Sequence, residues 1–201
     1  MDLASKTRIE QCYHSPLVVI AAAGQFPRIE VDIGCGDGEL LVRLAARHPC
    51  THFIGVELAS GYAHRAASHA VSRGLRNVTV INGEAAAYIA SLAEQSIGAL
   101  HIYFPTPFPG SIGLSNRLFD ERFAWCAYRV LQAGGILRLI TDHGGYHRAV
   151  VRALYLSRVP WRATDWLPVA AGQASAQFVG TPWEQRVAER QGRIWSHCVL
   201  R

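Results

Sequence analysis

The stretch IEVDIGCGDGEL, residues 29–40, decides the fold. Ile29–Ile33 is rich in β-branched residues and reads as a buried strand. Gly34, Gly36 and Gly38 turn the chain, and Glu39–Arg47 reads as a helix with Leu40, Leu41, Leu44 and Ala45 on one face. A strand, a glycine turn and a helix open a doubly wound sheet, where ligands bind beyond the carboxyl ends of the strands. The glycine spacing is GxGxG, not the GxGxxG of dinucleotide binders, so a pyrophosphate seat is poorly formed. Asp32 and Asp37 flank the turn. These acids repel phosphate and suit a cationic ligand that carries an amine.

Outward from this unit, strands and helices alternate. Thr51–Val56 reads as a strand, Tyr62–Arg73 as an alanine-rich helix ended by Gly74, Val78–Ile81 as a strand and Ala85–Leu92 as a helix. Ala99–Phe104 is a strand and Arg117–Leu131 a helix, with Gly134-Gly135 as the turn before the strand Ile136–Thr141. Tyr146–Leu156 is a helix, and Trp161–Trp166 and Ile194–Leu200 are two later strands. This alternation predicts an α/β domain whose mostly parallel sheet has helices on both faces. A single domain over 1–201 is expected, with a helical extension over 1–27 and a long loop over 167–183 above the substrate site.

Glu57 ends the second strand, 19 residues beyond Gly38. An acid at that place accepts both hydroxyls of a ribose. A cationic nucleoside without phosphate points to S-adenosylmethionine as cofactor. Asp32, Gly34, Gly36, Gly38 and Glu57 are its expected contacts. Glu84, after the third strand, either meets the adenine end or caps the helix that follows it.

The exit of the fourth strand, HIYFPTPFPG over 101–110, runs into Pro105, Pro107 and Pro109, none of which continues a ladder. We expect a rigid wall beside the cofactor, with Phe104 and Phe108 bordering a flat ring and Thr106 touching that ring without charging it.

The totals narrow the setting. Half of the 201 residues are hydrophobic, no apolar run spans a bilayer, and the N-terminus lacks a signal-peptide core, so a cytoplasmic protein is expected. Five cysteines without a CxxC pair argue against a disulfide framework or a zinc site, and Cys35, Cys50, Cys126 and Cys198 read as buried small residues. Residues 117–201 hold twelve arginines against six acids, whereas residues 1–116 are near balance. Either this is a solvated surface or it attracts an anionic partner.

VDIGCGDG, Glu57, YFPTPF, GGILRLITDH and TPWEQR stand in the order found in the bacterial tRNA (guanine-N7) methyltransferases, the TrmB family, which this sequence resembles over about residues 28–201. The resemblance implies a Rossmann-like class I methyltransferase fold with a seven-stranded sheet and an antiparallel last strand. It places Asp142, His143, Thr181, Glu184 and Arg186 at substrate-facing positions, with Pro105, Pro107 and Phe108. Three departures stand out. The family's FPDPW is FPTPF, its TDW is TDH, and its basic loop after the prolines is the neutral PGSIGLSN. Residues 77–116 contain no Lys or Arg.

A carboxylate beside guanine N7 stabilises the charge that develops there, and Thr106 supplies none. Phosphate contacts come mostly from Lys and Arg. These losses favour a small heteroaromatic acceptor, purine-like or indole-like, with guanine N7 of tRNA as the alternative; a monomer or homodimer is expected. Asp142 either orients substrate or caps the helix from Gly144. His143 is the candidate base or a loop histidine, and its spacing to His147 does not amount to a metal site. Glu184 either binds an amidine-like edge or pairs with an arginine. Most of the tryptophans read as packing residues.

Overall fold

The computed structural model describes residues 26–106, 118–164 and 180–201. In chain order the elements are β1 (Arg28–Ile33), α1 (Glu39–Arg47), β2 (Thr51–Glu57), α2 (Ser60–Ser72), β3 (Val78–Asn82), α3 (Ala85–Ser91) and β4 (Ile97–Tyr103). They continue with α4 (Glu121–Val130), β5 (Leu131–Thr141), α5 (Gly144–Leu156), β6 (Arg162–Ala163), α6 (Pro182–Glu189) and β7 (Trp195–Leu200). The seven strands form one sheet in the order β3-β2-β1-β4-β5-β7-β6. β1 to β5 are parallel, and β7 runs antiparallel to both β5 and β6. The Rossmann-like fold with an antiparallel last strand is therefore as expected. The proposed extension over 1–27 lies almost wholly outside the described residues, as do Pro107, Phe108, Cys12 and Trp166.

Two apolar layers clamp the sheet. On one face Val31, Ile33, Leu100, Ile102, Leu137 and Leu139 pack with residues of α3, α4 and α5. On the other, β2 and β3 meet α1 and α2 through Phe53, Val80, Leu41 and an all-alanine stripe of α2, Ala63, Ala66, Ala67 and Ala70. Methyl-sized side chains let α2 sit close. A Cβ on Gly38 would lie 2.7 Å from that of Ala66, so Gly38 is fixed by helix packing.

Three expectations change. Gly134 and Gly135 are not a free turn, because β5 starts at Leu131 directly after α4 and the pair bulges from its ladder with β4. Their backbones bond Arg201, which prolongs the pairing with β7. The loop drawn to residue 183 ends earlier, since Pro182 opens α6. Cys50 is exposed, while Cys35, Cys126 and Cys198 are buried. Among the described residues no helix is long and apolar enough to cross a membrane.

Candidate active site

β1 and β4 are neighbours while their connections leave in opposite directions, so a crevice opens above their carboxyl ends. A cleft of about 1020 Å³ occupies that place. Gly34, Glu57 and Glu84 line one side, and Phe104, Pro105 and Thr106 the other. The structure thus brings six of the sequence-derived candidates to one surface.

Gly34 and Gly36 have φ of +70° and +58°, and neither would have its Cβ within 4 Å of other atoms. Backbone conformation, not crowding, requires glycine there. Glu57 secures the turn: Oε2 accepts from Gly36 N at 3.0 Å and Oε1 from Ala59 N at 2.8 Å. A carboxylate has about four lone-pair sites, so two remain for a ribose. Asn82 Nδ2 holds the chain behind it, donating to the carbonyls of Glu57 and Leu58 at 2.9 Å each. Asp32 is only 4% exposed, and burial, then the Glu57 charge, pushes its carboxyl up to about 7. A cationic ligand beside it would reverse that shift. Glu84 caps α3, accepting from Ala86 N at 2.9 Å and Ala87 N at 2.7 Å, while it also faces the cleft. This donor set, an acidic wall with no phosphate seat, fits S-adenosylmethionine.

The opposite wall is strained. Phe104 has φ +52°, rare for a residue with a Cβ, and its N–H donates to Ile140 O at 2.7 Å. Such a backbone costs about 1–3 kcal/mol and persists where neighbours enforce it. Pro105 then ends the ladder.

Asp142, His143, Thr181, Glu184 and Arg186 gather beyond the end of β5, not in the cleft lining. Asp142 does not cap α5. Its Oδ2 accepts from Trp183 Nε1 at 3.1 Å, which ties α6 to the end of β5. The cap is His143, whose Nδ1 accepts from Tyr146 N at 3.0 Å. With Nδ1 so engaged the neutral ring carries its proton on Nε2. His147 meets His197 edge-on, with centroids 5.8 Å apart. Thr181 and Glu184 form the capping box of α6. Glu184 is 1% exposed, and its Oε2 accepts from Gly180 N at 2.8 Å. The cap is a role of Glu184 beside the two read from the sequence.

Sequence reasoning passed over a polar band on the face of β1, β4 and β5 that turns away from α3–α5. The register aligns Asp32 with His101 and His101 with Arg138. His101, 2% exposed, bonds Glu30 Oε2 through Nε2 and Tyr103 Oη through Nδ1, each at 2.8 Å. Arg138 hydrogen-bonds Tyr103 in turn. Burial alone would raise Glu30, but the hydrogen bond and charge of His101, with Arg28, hold its carboxyl down to about 2. Burial pushes the His101 ring below its ordinary value, against the opposing pull of the Glu30 carboxylate. The signal was visible as polar residues at every second position of otherwise apolar strands.

This fold and cleft define a class I methyltransferase. The family model described as "Putative methyltransferase" matches residues 27–197. A tRNA (guanine-N(7)-)-methyltransferase of Leifsonia xyli subsp. xyli is 36% identical over 85% of this chain and 72% of its own length. One of Rubrobacter xylanophilus is 29% identical over 82% of this chain and 72% of its own. The chain belongs to that family, the TrmB-like methyltransferases dependent on S-adenosylmethionine. The crystal structure of the 16S rRNA methyltransferase KamB shares the fold at a TM-score of 0.67 and 15% identity, covering 92% of this chain and 93% of that one.

Proposed function

We propose that this chain transfers the methyl group of S-adenosylmethionine to N7 of a guanine in tRNA. The observation that carries this reading is the state of His143. Its Nδ1 lone pair caps α5, so this candidate base does not stand ready to take a proton. A ring nitrogen such as N7 attacks with its own lone pair and needs no base, unlike an N–H or O–H acceptor. The names of the relatives support the same acceptor.

In this reading Asp32, the glycine turn and Glu57 hold the cofactor, and the Phe104–Thr106 wall borders the guanine. S-adenosylmethionine supplies the electrophilic methyl. In this reading the purine reaches past the cleft lining toward Asp142 beyond β5, whose charge offsets the positive charge that grows on the ring in the stead of the family's aspartate at position 106. Thr106 is the observation that favours a second reading, a small neutral heteroaromatic acceptor.

Labelled S-adenosylmethionine separates the two. Unmodified bulk tRNA, guanosine and indole-type heterocycles are incubated in parallel. Labelled 7-methylguanosine in the tRNA digest is expected. Turnover of a small ring with unlabelled tRNA would overturn the proposal. Thr106→Asp is expected to raise the rate on tRNA by about 10-fold or more, since a charge is added where charge develops. An unchanged rate would remove Thr106 from the acceptor site.

A further inference from the structure

An arginine over an aromatic ring occurs three times beyond the carboxyl ends of the parallel strands. The Arg65 guanidinium lies 4.3 Å from the Tyr62 ring centroid, Arg186 lies 5.0 Å from Trp183, and Arg193 lies 5.3 Å from Trp195. All three pairs stand at the carboxyl-end edge of the parallel strands. Tyr62 is in the first turn of α2, just past β2, and its N–H bonds Ala59 O; Ala59 lines the cleft. Trp183 holds Asp142, just past β5. Trp195 opens β7 opposite Thr141, the last residue of β5, and its ring packs on Gly144. Two tryptophans therefore flank Asp142–Gly144, and the tyrosine stands across the cleft.

Four other arginines are committed to the protein's own backbone. Arg28, Arg43, Arg129 and Arg201 spend guanidinium N–H groups on backbone carbonyls. Among the described residues, Arg65, Arg186 and Arg193 form no salt bridge to a carboxylate. A guanidinium held over a ring face keeps its N–H edge open for a phosphate. Two of the rings are open as well, Tyr62 at 49% and Trp183 at 43% exposed, while Trp195 is half-buried. Rings of that exposure beside an unpaired cation suit unstacked bases and the phosphates between them.

We infer that the Tyr62–Arg65, Trp183–Arg186 and Arg193–Trp195 pairs form an RNA-docking rim that grips the strand on both sides of the target nucleotide. The inference rests on the tRNA reading above and accounts for the neutral PGSIGLSN loop, because it moves the phosphate-binding cations from that loop to the edges of α2, α6 and β7.

The test measures binding of an unmodified tRNA transcript by fluorescence anisotropy across a salt series. Arg65→Gln, Arg186→Gln and Arg193→Gln keep the rings and remove the charges. Each is expected to weaken binding about 3- to 10-fold at low salt and to reduce the slope of log K against log salt by about 0.9 for each phosphate no longer neutralised. Arg47→Gln removes an equal charge from the last turn of α1, at the opposite end of the sheet, and should leave binding within about twofold. Calorimetry with S-adenosylmethionine reports whether each variant keeps its fold. Equal losses in all four variants would reduce the rim to bulk charge and overturn it. Wild-type tRNA methylation with undiminished binding by the triple variant would overturn the rim and leave the tRNA reading standing. If the wild type neither binds nor methylates tRNA, both fall together.

Discussion

Asp32 and Glu30 are two residues apart on one strand face, and burial raises both carboxyls, yet their neighbours leave them shifted in opposite directions. Asp32 faces another acid, Glu57, so its folded pKa rises from the ordinary 3.8 to about 7. An acid raised on folding contributes its full stability below the unfolded pKa and loses it as pH rises through the folded one. Asp32→Asn is therefore expected to match the wild type near pH 3 and exceed it by on the order of 2–4 kcal/mol at pH 8, while weakening cofactor affinity. Thermal unfolding across pH together with calorimetry checks both halves. A variant less stable than the wild type at pH 8 would show that Asp32 has a partner that compensates its charge. Glu30 gains a histidine and an arginine, and its folded pKa falls from 4.5 to about 2. Its contribution is present above pH 4.5 and is lost as pH falls through 2. Glu30→Gln should cost about 2–3 kcal/mol at neutral pH and nothing near pH 2, so the acid limb of its stability curve is flatter than that of the wild type. A cationic ligand beside Asp32 would supply a compensating charge, which accounts for a buried acid at position 32 despite its cost.

At the scale of elements, α6 carries the clearest gap between sequence and structure. Residues 181–184, Thr-Pro-Trp-Glu, hold a capping box with proline at the first helical position. Read as a family motif, the same four residues suggest substrate contacts; read as backbone chemistry, they start a helix. Thr181→Ala should cost about 1 kcal/mol through loss of the cap. Glu184→Gln keeps an oxygen for the N–H groups of Gly180 and Thr181, so both its melting temperature and its turnover should stay near wild type. A large loss of turnover at unchanged melting temperature would instead show that the carboxylate meets the acceptor. The helix α1, the glycine turn and the order of strands and helices were legible because each depends on local periodicity and turn chemistry. The bulge at Gly134-Gly135 was not, since it follows from how β5 pairs with β4 and from Arg201 at the far end of the chain. The Glu30–His101–Tyr103 network was half legible. Alternation shows which strand face is polar, but the neighbour of each strand is set by crossovers, and only the order β1-β4-β5 makes those residues partners.

For the whole molecule, the sheet order separates two electrostatic tasks at one edge. The side built from β1, β2 and β3 is acidic at Asp32, Glu57 and Glu84. Residues 117–201, which supply α4 to α6 and β7, carry twelve arginines against six acids. On the proposed reading, a cation with an amine is drawn to the first region and a polyanion to the second, so two ligands of opposite charge bind without competition. The two tasks respond differently to salt. Cofactor affinity depends on a buried acid and short hydrogen bonds, which are weakly screened. Binding of tRNA depends on counterion release, with a slope near −0.9 for each phosphate neutralised. For three to five such phosphates, a rise from 50 to 200 mM salt should weaken tRNA binding by about 40- to 500-fold and cofactor binding by less than about twofold. Calorimetry on the cofactor and anisotropy on the transcript give the two slopes. If tRNA binding is as insensitive to salt as cofactor binding, the arginines of the C-terminal half face water alone, and the acceptor is a small ring.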